Sequence, residues 1–336
     1  MKKHTKGIAA GLTVLLLAGA GIAVWSRTQE RAEALEASRR DAEAAAQAQA
    51  GESSGEGTVT YQGVTYQYKE NIRNYLFMGI DREAPGEEKT SGTAGQADAI
   101  FLLSRDTESR TLRVLEIPRD TMAQIEVFDA QGKSLGMTTD HLNLQYAYGD
   151  GRGSSCRLMK EAVSNLLYQL PISGYCALMM DGIAVLNDAV GGVSVTVPEG
   201  GFTAGGQEYT EGTVLTLDGE TAEAFVRYRD TQESLSSLTR MENQNVFLEA
   251  WMQKAQETAA GDAGFVTRLY TELEPYLVTD MTNDLFAGLL EDSANFARER
   301  NTLPGSGSQG QNFDEYHVDD EALYELILEM FYEEVK

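Results

Sequence analysis

Basic side chains are scarce in this chain of 336 residues: 27 Lys and Arg stand against 52 Asp and Glu, a formal net charge of -25. Phosphate backbones need a basic face, so nucleic acid is excluded as a partner. A small anionic ligand is not, provided a few arginines converge on one pocket. Cysteine is nearly absent as well. Only Cys156 and Cys176 occur, and neither directly follows the N-terminal apolar run, which rules out a lipoprotein anchor. In an exported chain the two can form one disulfide; their apolar contexts equally suit buried thiols.

What is present begins with Lys2, Lys3 and Lys6 ahead of an uncharged stretch from Gly7 to Trp25. That stretch is about the length of a membrane-crossing helix. The positive flank predicts residues 1–7 as a cytoplasmic tail and 8–25 as a signal-anchor, with the rest outside. A cleaved signal peptide is the alternative, since Ala18-Gly19-Ala20 has the A-x-A form; the apolar run continues past it. Residues 26–57 read as an Ala/Glu/Arg-rich helical stalk followed by the linker "GESSGEG".

From Thr58 the pattern turns globular. "VTYQGVTYQYK" alternates around Gly63 as a hairpin does. "YLFMGID", "AIFLLSRD" and "TLRVLEIPRD" are apolar runs of strand length. Such runs suit strands buried on both faces. "SSCRLMKEAVSNLLYQL" and "DGIAVLNDAVGG" read as helices, and "GYCALMM" and "VSVTVP" as strands. The alternation predicts an α/β class, a mixed central sheet flanked by helices, over residues 58–256. Residues 257–336 read as an acidic helical C-terminal extension that carries no site chemistry.

Three clusters can do chemistry. Asp81 ends one strand and Asp98 begins the next, where open α/β sheets bind ligands. Two such carboxylates can hold Mg²⁺, or simply cap a turn and start a strand. "IPRDT" places Arg119 beside Asp120, as a surface ion pair or part of a site. In "AFVRYRDTQESLSSLTRMENQ", an extended "FVRYR" would turn Arg227 and Arg229 to one side. Thr239 and Glu242 form a T-x-x-E box predicting a helix start at Arg240, with Gln244 one turn on. A helix start reinforced by arginine suits an anion, and the guanidinium fork suits phosphate; balancing of nearby acids is the alternative.

Together with "HLNLQYAYGDG", "MDGIAVLNDAVGGVSVTVP", "LDGETAEAFVRYRD" and "RMENQ", these stretches resemble, in order, the LytR-CpsA-Psr family of envelope proteins, over about Tyr75 to Trp251. The resemblance implies an α-β-α domain on the cell-wall side of the membrane, anchored by a single pass. It implies a phosphotransferase that binds a polyprenyl-pyrophosphate-linked glycan and moves its glycopolymer-phosphate to a peptidoglycan hydroxyl. Carried over by motif, Asp81 and Asp98 match the carboxylates associated with Mg²⁺. Arg119, Arg227, Arg229, Arg240 and Gln244 match the pyrophosphate-contacting set; no general base is identifiable, and Asp98 and Asp120 are the candidates if one is needed. His141 stands where the family often has Lys, as a pH-dependent phosphate contact or a turn hydrogen bond. The family usually has Arg-Ser ahead of the second aspartate. Here Gln96-Ala97 stands there, so Gln96 offers phosphate a hydrogen bond without charge. That loss favours the rival expectation, a non-catalytic carrier, sensor or scaffold that binds polyprenyl phosphate.

Overall fold

The computed structural model describes residues 58–86, 90–229, 235–310 and 312–335. The expected tail, anchor, stalk and linker lie outside them; among the described residues no helix is long and apolar enough to cross a membrane. The chain divides into two compact units. In the smaller, Thr58–Tyr61 (β1) and Val64–Tyr68 (β2) form the expected antiparallel hairpin. Its turn is Gln62-Gly63, both at positive φ, as tight hairpin turns require.

The larger unit, Lys69–Glu333, holds the central sheet. Ile72–Ile80 (β3), Ala97–Asp106 (β4) and Thr111–Glu116 (β5) run antiparallel in succession. Leu76, Ile80, Ile100, Leu102 and Leu115 from these strands are buried. Met122–Phe128 (β6) and Ser134–His141 (β7) make a separate hairpin, and a 3-10 helix spans Leu142–Tyr148. Gly153–Leu166 (α1) follows, its first turn capped by the Asp150 carboxylate, which accepts from the Ser154 N–H at 3.1 Å. Gly174–Met179 (β8) joins β3 in parallel, as a crossover connection dictates. Cys156 on α1 and Cys176 on β8 are free, buried thiols, so of the two expected states the unbridged one is present. Burial pushes Cys176 up to about 12.

Asp181–Ala189 (α2) ends at Gly191-Gly192, both at positive φ. Four short strands follow: Val193–Thr196 (β9), Phe202–Ala204 (β10), Gln207–Tyr209 (β11) and Val214–Leu217 (β12). Gly219–Arg227 (α3) corrects the expectation that "FVRYR" is extended. Asp218 caps this helix by accepting from the Thr221 N–H at 2.9 Å, and Ala222, Phe225 and Val226 supply a buried helical stripe. Ser236–Gly261 (α4) starts four residues before the predicted Arg240, because Asp314 captures the Leu235 N–H at 2.6 Å.

Phe265–Leu273 (α5), Leu277–Thr279 (β13), Asn283–Asn295 (α6) and Ala297–Thr302 (β14) follow. The sheet order is β13-β8-β3-β4-β5-β14. The expected boundary at residue 256 thus falls inside α4, and the residues read as a helical extension supply both edge strands. "ARERNT" lacks an apolar alternation because β14 is an exposed edge held by a parallel ladder to β5, not by burial. A hairpin, Gly305–Gln309 (β15) with Asp314–Val318 (β16), and Asp320–Phe331 (α7) follow.

Candidate active site

The site grows from the end of β3 and the start of β4. The β3–β4 register shifts between Gly79 and Ile80, where the chain leaves the sheet for Asp81. Asp81 Oδ1 accepts from the Gln96 backbone N–H at 2.5 Å. Gly95 makes this approach possible: at φ +94, a Cβ would lie 2.9 Å from that same oxygen and 2.6 Å from the Arg82 side chain. Desolvation raises the Asp81 pKa against the pull of that hydrogen bond, and the nearby Asp98 charge raises it further.

Asp98 is the hub. One carboxylate oxygen is paired with Arg119 Nη1, the other with Arg240 Nη1 at 2.7 Å. Arg119 is also held by Asp120 Oδ1 at 3.0 Å and by Gln96 Oε1 at 2.8 Å. Gln96 Oε1 takes a second bond from Asn143 Nδ2 at 2.9 Å. The Gln96 carbonyl thus fixes Arg119 and Asn143, and the expected donation to phosphate would fall to its amide nitrogen. Asn143 is a component the sequence reading did not single out, although it sits inside the quoted "HLNLQYAYGDG".

Arg240 carries the informative irregularity. Its residue is 6% exposed, and its Nε and Nη2 find no partner among the described residues. Burial lowers its pKa, Asp98 opposes that, and Arg119 and Arg229 press it down further. Buried donors are nearly always satisfied, so an orphaned guanidinium edge marks where an anionic ligand would bind.

The remaining expected residues are placed unevenly. Arg229 is exposed and lies within electrostatic reach of Arg240. Arg227, last in α3, is exposed and paired with Glu223 at 2.7 Å, because helix geometry sets it one turn beyond that acid. Gln244 Nε2 donates to the Val226 carbonyl at 3.4 Å, linking α4 to the end of α3. The cleft beside Asp98, lined by Arg119, Leu238, Met241 and Gln244, is only about 10 Å³. A larger cavity of about 370 Å³ opens along Arg157, Leu158 and Glu161 of α1, facing Phe128 and Tyr148. Its lining is mixed in polarity.

Both ring nitrogens of His141 have partners. Nδ1 contacts Asp140 Oδ1 at 3.0 Å and Nε2 contacts the Asp314 carbonyl at 2.9 Å. Both partners are acceptors, so together they favour the doubly protonated ring. Asp140 raises its pKa above the usual histidine value, against desolvation. A raised folded-state pKa gives stability that is full below about 6.5 and is lost as pH rises through the folded value. His141→Gln should therefore flatten the fall in unfolding free energy above about pH 6.5; an unchanged pH profile in urea melts would remove this role.

Residues 29–331 match the LytR_cpsA_psr family. A polyisoprenyl-teichoic acid–peptidoglycan teichoic acid transferase TagU of Halalkalibacterium halodurans is 31% identical over 192 residues, covering 57% of this chain and 56% of that protein. TagU of Oceanobacillus iheyensis is 30% identical over 244 residues, 71% of this chain and 67% of that one. The chain therefore spans between about half and two thirds of these relatives. The crystal structure of B. subtilis TagV superposes with a TM-score of 0.59 at 22% identity, covering 78% of this chain and 97% of that one. TagT bound to LI-WTA gives 0.59 at 20% identity, covering 83% and 96%. These structures share the fold. With the family match running through the whole constellation from Asp81 to Arg240, the chain belongs to the LytR_cpsA_psr family.

Proposed function

We propose that this chain is a membrane-anchored phosphotransferase on the cell-wall side. It would move a glycopolymer-phosphate from a polyprenyl-pyrophosphate lipid to a peptidoglycan hydroxyl during cell-wall assembly. The single observation that carries the reading is Arg240, buried in a cluster of Asp98, Arg119 and Arg229 with one guanidinium edge unpartnered among the described residues. The names of the related transferases support the same substrate class.

In the reaction, the acceptor oxygen attacks the phosphorus that bears the glycan. The bond from that phosphorus to the bridging oxygen breaks, and polyprenyl monophosphate leaves. The acceptor proton passes to a base or to solvent. Arg240 and Arg229 neutralise charge on the transferring phosphoryl group and the departing phosphate, while Arg119, fixed on three sides, holds Asp98 in place. Positioning and electrostatics supply most of the acceleration in such displacements. Asp98 accepts from two guanidinium groups, so both its oxygens are engaged in organising the arginines.

The residues fit a divalent cation in part. Asp81 and Asp98 are hard oxygen donors close enough to raise the Asp81 pKa, which a cation would relieve. Both Asp98 oxygens are engaged by arginine, so Asp81 is the readier ligand. Mg²⁺ would supply charge neutralisation on the diphosphate. An acid whose folded pKa is raised loses stability as pH rises through its titration, so a cation at Asp81 restores stability at neutral pH. Mg²⁺ at ten times its dissociation constant should add about 1.4 kcal/mol, a few degrees in thermal midpoint. Asp81→Asn should abolish that gain; an equal gain in the variant would reject the site.

The full chain, reconstituted with a polyprenyl-pyrophosphate glycan, Mg²⁺ and peptidoglycan, should release one polyprenyl monophosphate per polymer attached. Tight donor binding without release would establish the carrier reading instead, which Gln96 in place of an arginine favours.

A further inference from the structure

The strongest unassigned cluster lies at the sheet edge, on the strand that looked like an extension. Arg300 of β14 stands between two elements that each deliver an arginine to Asp98. On the sheet side it pairs through Nε with Glu116, the last residue of β5 and three residues before Arg119. On the helix side its Nη2 and Nη1 reach Glu242 at 3.1 Å and Glu249 at 3.4 Å, both on α4, which carries Arg240. Thr302 Oγ1 adds a bond to Glu116 at 3.3 Å.

Glu116 is 1% exposed, and burial raises its pKa even against the pull of Arg300. Removing Arg300 would strand that charge. Glu242 and Glu249 are exposed, and exposed pairs contribute little to overall stability. Their placement does something else. Helical side chains advance about 100° per residue, so Arg240 and Glu242 leave α4 roughly 200° apart. One side of the helix is drawn to Asp98 on β4, the other to Arg300 on β14. Two ties on opposing sides set the rotation of the helix about its own axis. That rotation decides where the unpartnered edge of Arg240 points.

We infer that Arg300 is a positioning residue: by gripping Glu242 and Glu249 from the β5–β14 edge, it fixes the rotational setting of α4 and so aims Arg240 into the site. Resting on the diphosphate-binding role above, it gives residues 297–302 a part in that site.

The test uses the full chain in detergent and isothermal titration with geranyl pyrophosphate as the probe. Arg300→Met is confounded by Glu116, so the decisive variant is E242Q/E249Q, which leaves the Arg300–Glu116 pair intact. Its affinity should fall roughly fivefold, with an unchanged thermal midpoint. In an Arg240→Met background the same two substitutions should cost nothing further, because they act through Arg240. A merely structural role would give additive losses in both backgrounds. Additive losses, or wild-type affinity in E242Q/E249Q, overturn the inference while leaving the diphosphate site standing. No binding by the wild type overturns both.

Discussion

Arg240→Met should lower transfer by about 10²–10³-fold, the cost of removing one preorganised donor aimed at developing charge. It should do so with little loss of stability. Methionine fills much of the same volume, and Asp98 keeps Arg119 as its partner, so no buried charge is stranded. Arg240 is costly to bury, as its lowered pKa shows. A residue kept in place at such cost, with two buried donors unpartnered among the described residues, is more readily explained by a ligand than by the fold. Steady-state turnover and a thermal melt on the same preparation separate the two effects. Turnover within threefold of wild type would remove Arg240 from the mechanism.

Asp98→Ala should behave in the opposite way. It leaves Arg119 and Arg240 facing each other without the shared carboxylate, and Arg240 has almost no access to water. Breaking a buried pair from one side costs about 3–5 kcal/mol. Arg119 retains Asp120 and Gln96, which places the expected loss near 3 kcal/mol. In a unit of this size that is a fall on the order of 5–10 °C in the thermal midpoint. Double substitution with Arg240→Met should recover part of it, since one of the two stranded cations is then gone. A midpoint unchanged from wild type in Asp98→Ala would show that the arginines do not depend on this carboxylate.

The contrast between the two variants follows from an asymmetry at the hub. Each Asp98 oxygen already accepts from an arginine, whereas Arg240 keeps two donors unpartnered among the described residues. Both partners are equally buried, at 8% and 9% side-chain exposure, so the asymmetry lies in unpartnered donors and not in access to water.

Several of these positions were legible in the sequence because they sit at ends of strongly apolar strands. Asp81 after "YLFMGI" and Arg119 after "TLRVLEIP" are examples: a buried strand must stop where it meets water, and that rim is where ligands bind. The hairpin at Gly63 and the helix stop at Gly191-Gly192 were legible for the same local reason, since only certain residues turn the chain at low cost. What escaped was decided by tertiary contact. "FVRYR" has β-favouring residues, yet Asp218 and the burial of Phe225 make it the end of a helix. The helix box at Thr239 was overridden by Asp314, which lies 79 positions from the Leu235 N–H it accepts. No local pattern encodes such a partner. β14 escaped because its residues are polar and its hydrogen-bonding partner is the remote β5. Gln96 shows a subtler limit: the substitution was visible, but that its carbonyl would anchor Arg119 and Asn143 depends on side-chain direction.

The most direct measurement is a crystal structure of the protein with geranyl pyrophosphate. A diphosphate oxygen should lie within hydrogen-bonding reach of Arg240 Nη2, about 3.2 Å or less, with Arg119 still joined to Asp98. A well-ordered diphosphate bound elsewhere, with that edge of Arg240 still unpaired, would contradict the account.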